Sequence, residues 1–122
     1  MKVNKFIFLE SLRPIYNPLN SYITERTYDN AFSKFNKLTK IAGCLPRTEV
    51  LKKEDNYWKG VCRSLIFRFP DDLEILLILN NKNIKNSQGT IQVRSSSRIG
   101  QSDLGVNKKR VEDLFSELEK LR

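Results

Sequence analysis

Between residues 28 and 42, apolar side chains recur at helical spacing. Ala31, Phe32, Phe35, Leu38, Ile41 and Ala42 fall on one face. The spacing predicts a first helix over Tyr28–Ala42, with Thr27 as N-cap and Asp29 in the first turn, where the helix dipole favours an acid. Gly43 stops it and Pro46 lies just beyond. The period then shortens to two. Thr48–Leu51 and Tyr57–Ser64 read as a pair of strands joined by the polar turn "KKEDN". Leu73–Leu79 is almost continuously apolar, which predicts a central strand covered on both faces. "NNKNIKNSQG" is a hairpin loop of turn formers, and "TIQVRSSSR" returns antiparallel. Helical spacing resumes with Val111, Leu114, Phe115, Leu118 and Leu121, in a helix from Lys108 to about Leu121 with Asn107 as N-cap.

Residues 1–26 have no clean period; Pro14 and Pro18 in "RPIYNPLNSY" suggest an extended arm. The chain therefore divides into an arm, 1–26, and a single α+β domain, 27–122. The domain is predicted as a helix, a four-stranded antiparallel sheet and a C-terminal helix, with both helices on one sheet face.

Composition narrows the chemistry. With 122 residues, 39% hydrophobic and 30% charged, the chain fits one soluble domain. No apolar run approaches membrane-spanning length, so a transmembrane protein is not expected. The opening "FIFL" is too short for a signal-peptide core and Glu10 breaks the apolar run soon after it, which predicts the cytoplasm or a cytoplasmic membrane face. Cys44 and Cys62 are then unlinked thiols. With no histidine, a His general base, a His-activated serine and a His metal site are excluded within one chain. Two cysteines do not make a Cys/His zinc site either, and no cofactor is called for. The net charge of +8 permits nucleic acid or an anionic membrane surface as partner, but the lysines are dispersed and form no basic stripe, which disfavours nucleic acid. Trp58, alone on its strand, is read as packing rather than as a base-stacking platform.

The densest chemistry lies in "PDDLE" and "VRSSSRIGQSDLGVNKKR". If Asn80 faces Thr90 across the hairpin, Glu74 faces Ser96 and Asp72 faces Arg98. Strand alternation puts Asp72 and Glu74 on one face, and likewise Arg94, Ser96 and Arg98. The next loop brings Asp103, Asn107 and Arg110 nearby. Lys108, Lys109 and Arg110 place three cations in a helix first turn, where the dipole is already positive, so an anion is expected close by, either one of Asp71, Asp72, Glu74 and Asp103 or a bound phosphate or carboxylate. Asp72, Glu74 and Asp103 can formally neutralise Arg94, Arg98 and Arg110, which predicts a salt-bridge clamp. The alternative is a polar pocket for a small anionic ligand. Mg²⁺ on Asp71, Asp72 and Glu74 is disfavoured by the adjacent arginines.

These stretches resemble domain-of-unknown-function family 1499. Phe69, Asp71, Asp72 and Glu74 match its first motif. Arg94, Ser95, Ser97, Arg98, Gly100, Ser102, Asp103, Leu104, Gly105, Asn107 and Arg110 match its second. "LPRTEV" and "RSLIFRF", with Arg63 and Ser64, also resemble the family. The resemblance runs from about Tyr28 to the C-terminus and implies bacterial, cyanobacterial or plastid relatives, a fold and a residue set, but no reaction. It departs from the family at the start, where many members carry a membrane anchor or signal and a Cys-Pro segment.

The candidate cluster is thus Arg63, Asp71, Asp72, Glu74, Arg94, Ser95, Ser97, Arg98, Ser102, Asp103, Asn107 and Arg110. Three functions fit it. The first is an accessory or binding domain for a small anionic ligand or a partner protein. The second is a small enzyme with Asp72 or Glu74 as acid or base and Arg94 and Arg98 as clamps; a carboxylate among arginines is held acidic, which suits a base poorly. The third is binding of nucleic acid or an anionic membrane surface through the basic face.

Overall fold

A computed structural model describes residues 11–80 and 88–121. Five strands form one sheet: β1 (Ser21–Tyr28), β2 (Thr48–Lys53), β3 (Tyr57–Arg63), β4 (Pro70–Leu79) and β5 (Gly89–Ser97). Their spatial order is β1-β5-β4-β3-β2, with every pair antiparallel. Helix α1 (Ala31–Gly43) comes after β1, and α2 (Val106–Lys120) after β5. Both helices cover the same face, on which Phe35, Leu38, Val111, Phe115 and Leu118 pack against Leu73, Ile75, Leu77, Ile91 and Val93. Trp58 belongs to that core and is buried. No helix among the described residues is long and apolar enough to cross a membrane. Cys44 and Cys62 are free thiols.

The sheet has five strands, not the four expected. The additional one, Ser21–Tyr28, occupies the end of the stretch read as an arm and the expected first turn of α1. Thr27 and Tyr28 pair with Thr90 and Gly89, so Thr27 is no helix cap. The helix starts at Ala31 after Asn30, which makes no side-chain cap. This edge strand lacks apolar/polar alternation because its helix-facing side carries Arg26. That guanidinium lies 4.3 Å from the Phe115 ring centroid and bonds Glu112 and Glu119 on α2 at 2.7 and 3.1 Å. The arginine covers apolar surface with its stem while its head stays wet.

The central strand is β4, as its apolar run predicts, flanked by β5 and β3. Pro70 opens it, where a missing N–H costs no ladder bond, and its carbonyl accepts the Arg98 N–H at 3.1 Å. The β4–β5 register differs from expectation by two residues: Ile78, not Asn80, lies opposite Thr90. A two-residue shift preserves which side chains share a face. Most of the expected hairpin loop lies outside the described residues.

Candidate functional site

Strand alternation divides the polar cluster between the two sheet faces. Asp71, Ser95 and Ser97 point to the helix side, whereas Asp72, Glu74, Arg94 and Arg98 point to the open side. Asp71 therefore cannot join Asp72 and Glu74 around one cation, and among the described residues no three Cys, Asp or Glu converge as metal ligands.

On the helix side, Asn107 is the hub. It is fully buried, and the two N–H groups of its Nδ2 are shared among three acceptors, the Asn20 carbonyl, Ser97 Oγ and Asp103 Oδ2, at 2.9, 2.9 and 2.7 Å. Its Oδ1 accepts Ser95 Oγ at 2.6 Å and Arg110 Nη1 at 2.9 Å. Arg110 also pairs with Asp71 at 2.9 Å. Asn107 is thus not the N-cap it was expected to be. Asp103 caps α2 instead, accepting the Gly105 and Asn107 backbone N–H groups at 2.8 and 2.9 Å. Burial pushes the Asp103 carboxyl up, but the hydrogen bonds from Asn107 and Gly105 outweigh it and hold the group below the usual carboxylate range.

The loop before α2 reaches this geometry through Gly100, Leu104 and Gly105, all at positive φ (92°, 54° and 83°). At Gly105 the left-handed backbone lets Asp103 fold back on the helix start. Ser102 Oγ accepts the Leu104 N–H at 3.4 Å. "SDLGVN" is therefore a turn-and-cap element. The anion expected beside the three cations is the Asp103 carboxylate, with Asp71 on Arg110 and Asp113 on Lys109 at 2.7 Å. Lys108 lies 5.9 Å from the Tyr22 ring centroid.

On the open side, Asp72 and Arg98 form a two-point ion pair at 2.7 and 3.0 Å. Burial raises the Asp72 carboxyl, yet the Arg98 hydrogen bond and the charges of Arg98, Lys59 and Arg13 together hold it below its usual range. Ser96 takes no part in this pair; it bonds Ser21 at 2.6 Å. Glu74 and Arg94 are only 6% and 5% exposed, beneath the segment around Leu12. Tyr57 donates its hydroxyl to Glu74 Oε2 at 2.5 Å, and burial, then the Glu74 hydrogen bond and charge, push the phenol well above its ordinary value. Glu74 Oε1 has no hydrogen bond; Arg94 and Arg13 stand 3.7 and 3.6 Å from it. Arg94 Nε is likewise unbonded, although Arg94 Nη2 reaches the Pro14 carbonyl at 3.4 Å.

Each expected cluster arginine on β5 and α2 and just beyond β5 thus ends on a carboxylate, Arg94 with Glu74, Arg98 with Asp72 and Arg110 with Asp71. Arg63 differs. It ends β3, and no carboxylate pairs with it among the described residues. Beside it is Arg47, a residue that sequence reasoning left out, in the turn between α1 and β2. Their backbones are joined, Arg63 N–H to the Arg47 carbonyl and Arg47 Nε to the Arg63 carbonyl, both at 3.0 Å. Arg47 sits at φ 54°. With Arg110 these two line a cleft of about 120 Å³ whose walls also include Leu45, Pro46, Thr48 and Cys62. The signal for Arg47 was present in "LPRTEV", since Thr48 pairs with Cys62 and brings Arg47 beside Arg63.

Fold and cluster define a small α+β domain whose sheet and second helix are locked at one end by arginine–carboxylate pairs. The chain belongs to the family described as protein of unknown function (DUF1499), whose model matches residues 9–118. No curated protein and no solved structure matches the chain.

Proposed function

We propose that the domain is a binding module that takes a small oxyanion, a phosphate or carboxylate group, in the cleft between Arg47, Arg63 and Arg110. One observation carries this reading. The cleft is lined by Arg47 and Arg63, neither with a carboxylate partner among the described residues, beside Arg110, which is held in place by Asp71. A planar guanidinium offers paired N–H donors that match an oxyanion, and Arg110 supplies a fixed wall. The volume, about 120 Å³, is well above the roughly 10–15 Å³ that one water needs, so a tetrahedral oxyanion fits. Thr48 lines the same wall.

The enzyme alternative is weaker on chemical grounds. Asp72 is held too acidic to accept a proton near neutral pH, and Tyr57 is held too basic to release one. Glu74 is buried under the N-terminal segment, away from substrate. A stacking contact to nucleic acid through Trp58 is blocked by its burial. Isothermal titration of inorganic phosphate and pyrophosphate tests the proposal. Saturable binding is expected for the wild type, at least tenfold weaker for Arg63→Ala and partly kept in Arg63→Lys. Absence of binding at low salt, or equal binding by Arg63→Ala, overturns it.

A further inference from the structure

The β3–β4 connection is the most apolar exposed surface of the described chain. In "SLIFRF", Leu65, Ile66 and Phe67 are 68%, 78% and 73% exposed, and Phe69 is 48% exposed. Connections are ordinarily polar, because an exposed apolar side chain gains nothing from folding. This loop is nevertheless well built. Its ends are closed by Ser64 N–H to the Phe69 carbonyl at 3.1 Å and by Phe69 N–H to Ser64 Oγ at 2.9 Å. The rings of Phe67 and Phe69 stack with centroids 5.4 Å apart and an interplanar angle of 17°. A closed, stacked loop holds its apolar side chains outward as a fixed protrusion.

Two further features share that end of the sheet. The loop before α2 is anchored there, through Arg98 N–H on the Pro70 carbonyl and Asp103 N–H on the Leu19 carbonyl, and it carries Leu104 at 94% exposure. The cations there are Arg68, inside the tip, and Arg63, at its base, and neither has a carboxylate partner among the described residues. Arg68 takes φ 59°, a backbone state that arginine rarely adopts and that sets the turn between Phe67 and Phe69.

From this combination we infer that the Leu65–Phe69 tip docks the protein on an anionic lipid bilayer. A convex tip of aliphatic and aromatic side chains suits the headgroup–acyl boundary, whereas a protein groove would have to be shaped around it. Arg68 within the tip and Arg63 at its base, neither with a carboxylate partner among the described residues, are placed to meet lipid phosphates, and the chain's net charge of +8 draws the whole domain toward an anionic surface. The inference and the proposed cleft share Arg63 but rest on different observations, and substitution of the exposed apolar side chains of the tip separates the two by experiment.

The test uses vesicles of phosphatidylcholine alone or mixed with phosphatidylglycerol, with the full chain. Cosedimentation with the anionic vesicles is expected, at least tenfold weaker with neutral vesicles. The variant Ile66→Ser/Phe67→Ser should lose it while keeping the wild-type melting temperature and phosphate binding, since both side chains are exposed. An Ile66→Trp reporter should shift its emission to the blue only when anionic vesicles are added; native Trp58 is buried and stays constant. Three results overturn the inference. One is no binding to anionic vesicles. Another is undiminished binding by the double variant, which would assign it to general basicity. The third is blue emission before vesicles are added, with a dimer that the double variant dissolves, which would make the tip a contact between copies.

Discussion

The joint between β4, β5 and α2 and the cleft between Arg47 and Arg63 meet at Arg110, and both are rich in arginine, yet they use it oppositely. In the joint, Arg110 and Arg98 reach Asp71 and Asp72 at 2.9 and 2.7 Å, and the Asn107 amide has five polar partners between strand and helix. Every arginine there has an internal partner; the Arg110–Asp71 pair ties α2 to β4, the Arg98–Asp72 pair ties the end of β5 to β4 on the open side, and little positive field is left. In the cleft, Arg47 and Arg63 use their backbones and one Nε to hold each other, and no carboxylate among the described residues takes their remaining donors. An arginine whose donors are already matched is part of the scaffold, whereas one held rigid but unmatched is available to a ligand.

The comparison breaks most visibly at Asp71. Asp71→Ala leaves Arg110 largely buried without its carboxylate, and should cost about 3–5 kcal/mol in urea unfolding. Asn107→Ala comes next. It strands Ser95, Ser97 and Asp103, and about 1–3 kcal/mol is expected by the same measurement. Asp103→Ala removes the cap of α2 and should cost about 1 kcal/mol, with a matching loss of helicity by circular dichroism. Smaller still is the acid limb. The folded-state pKa values of Asp72 and Asp103 lie below the unfolded value of about 4. Below that value the unfolded chain binds protons that the folded chain does not, so their stabilisation is complete above it and is lost as pH falls through the folded values. Melting temperature measured from pH 6 downward should fall, and Asp72→Asn or Asp103→Asn should each flatten that fall. A slope unchanged by either substitution would contradict the roles assigned to these carboxylates.

Much of this was legible in the residues. Helical spacing from Ala31 to Ala42 and from Val111 to Leu118 gave both helices, and the apolar run of β4 gave the central strand. The edge strand β1 was hidden. Its signal is β propensity in Tyr22, Ile23, Thr24 and Tyr28, without alternation, because Arg26 packs over Phe115 where an apolar residue was looked for. The arginine–carboxylate joint was legible from charge counting, and Asp72–Arg98 pairs as expected although Asp72 lies opposite Ser96 in the register. Asp71, one of the internal anions expected beside the helix start but left out of the pairing count, is turned to the helix side by alternation and matches Arg110 in place of Asp103. Asp103 is then left to cap the helix, a role expected of Asn107 because asparagine before a helical run is the commoner signal. Arg47 was missed because its importance depends on Arg63, sixteen residues away and joined to it only through the β2–β3 hairpin.

The distinction between matched and unmatched arginines is tested most directly by titrating phosphate into ¹⁵N-labelled wild type and into Arg47→Ala/Arg63→Ala, monitored by backbone amide shifts. Saturable shifts centred on Arg47, Thr48 and Arg63 are expected in the wild type and no saturation in the double variant, which should remain folded with a melting temperature lowered only by the loss of the Arg47 Nε bond. Shifts centred instead on Arg94 and Arg98, or equal binding by the two proteins, would contradict it.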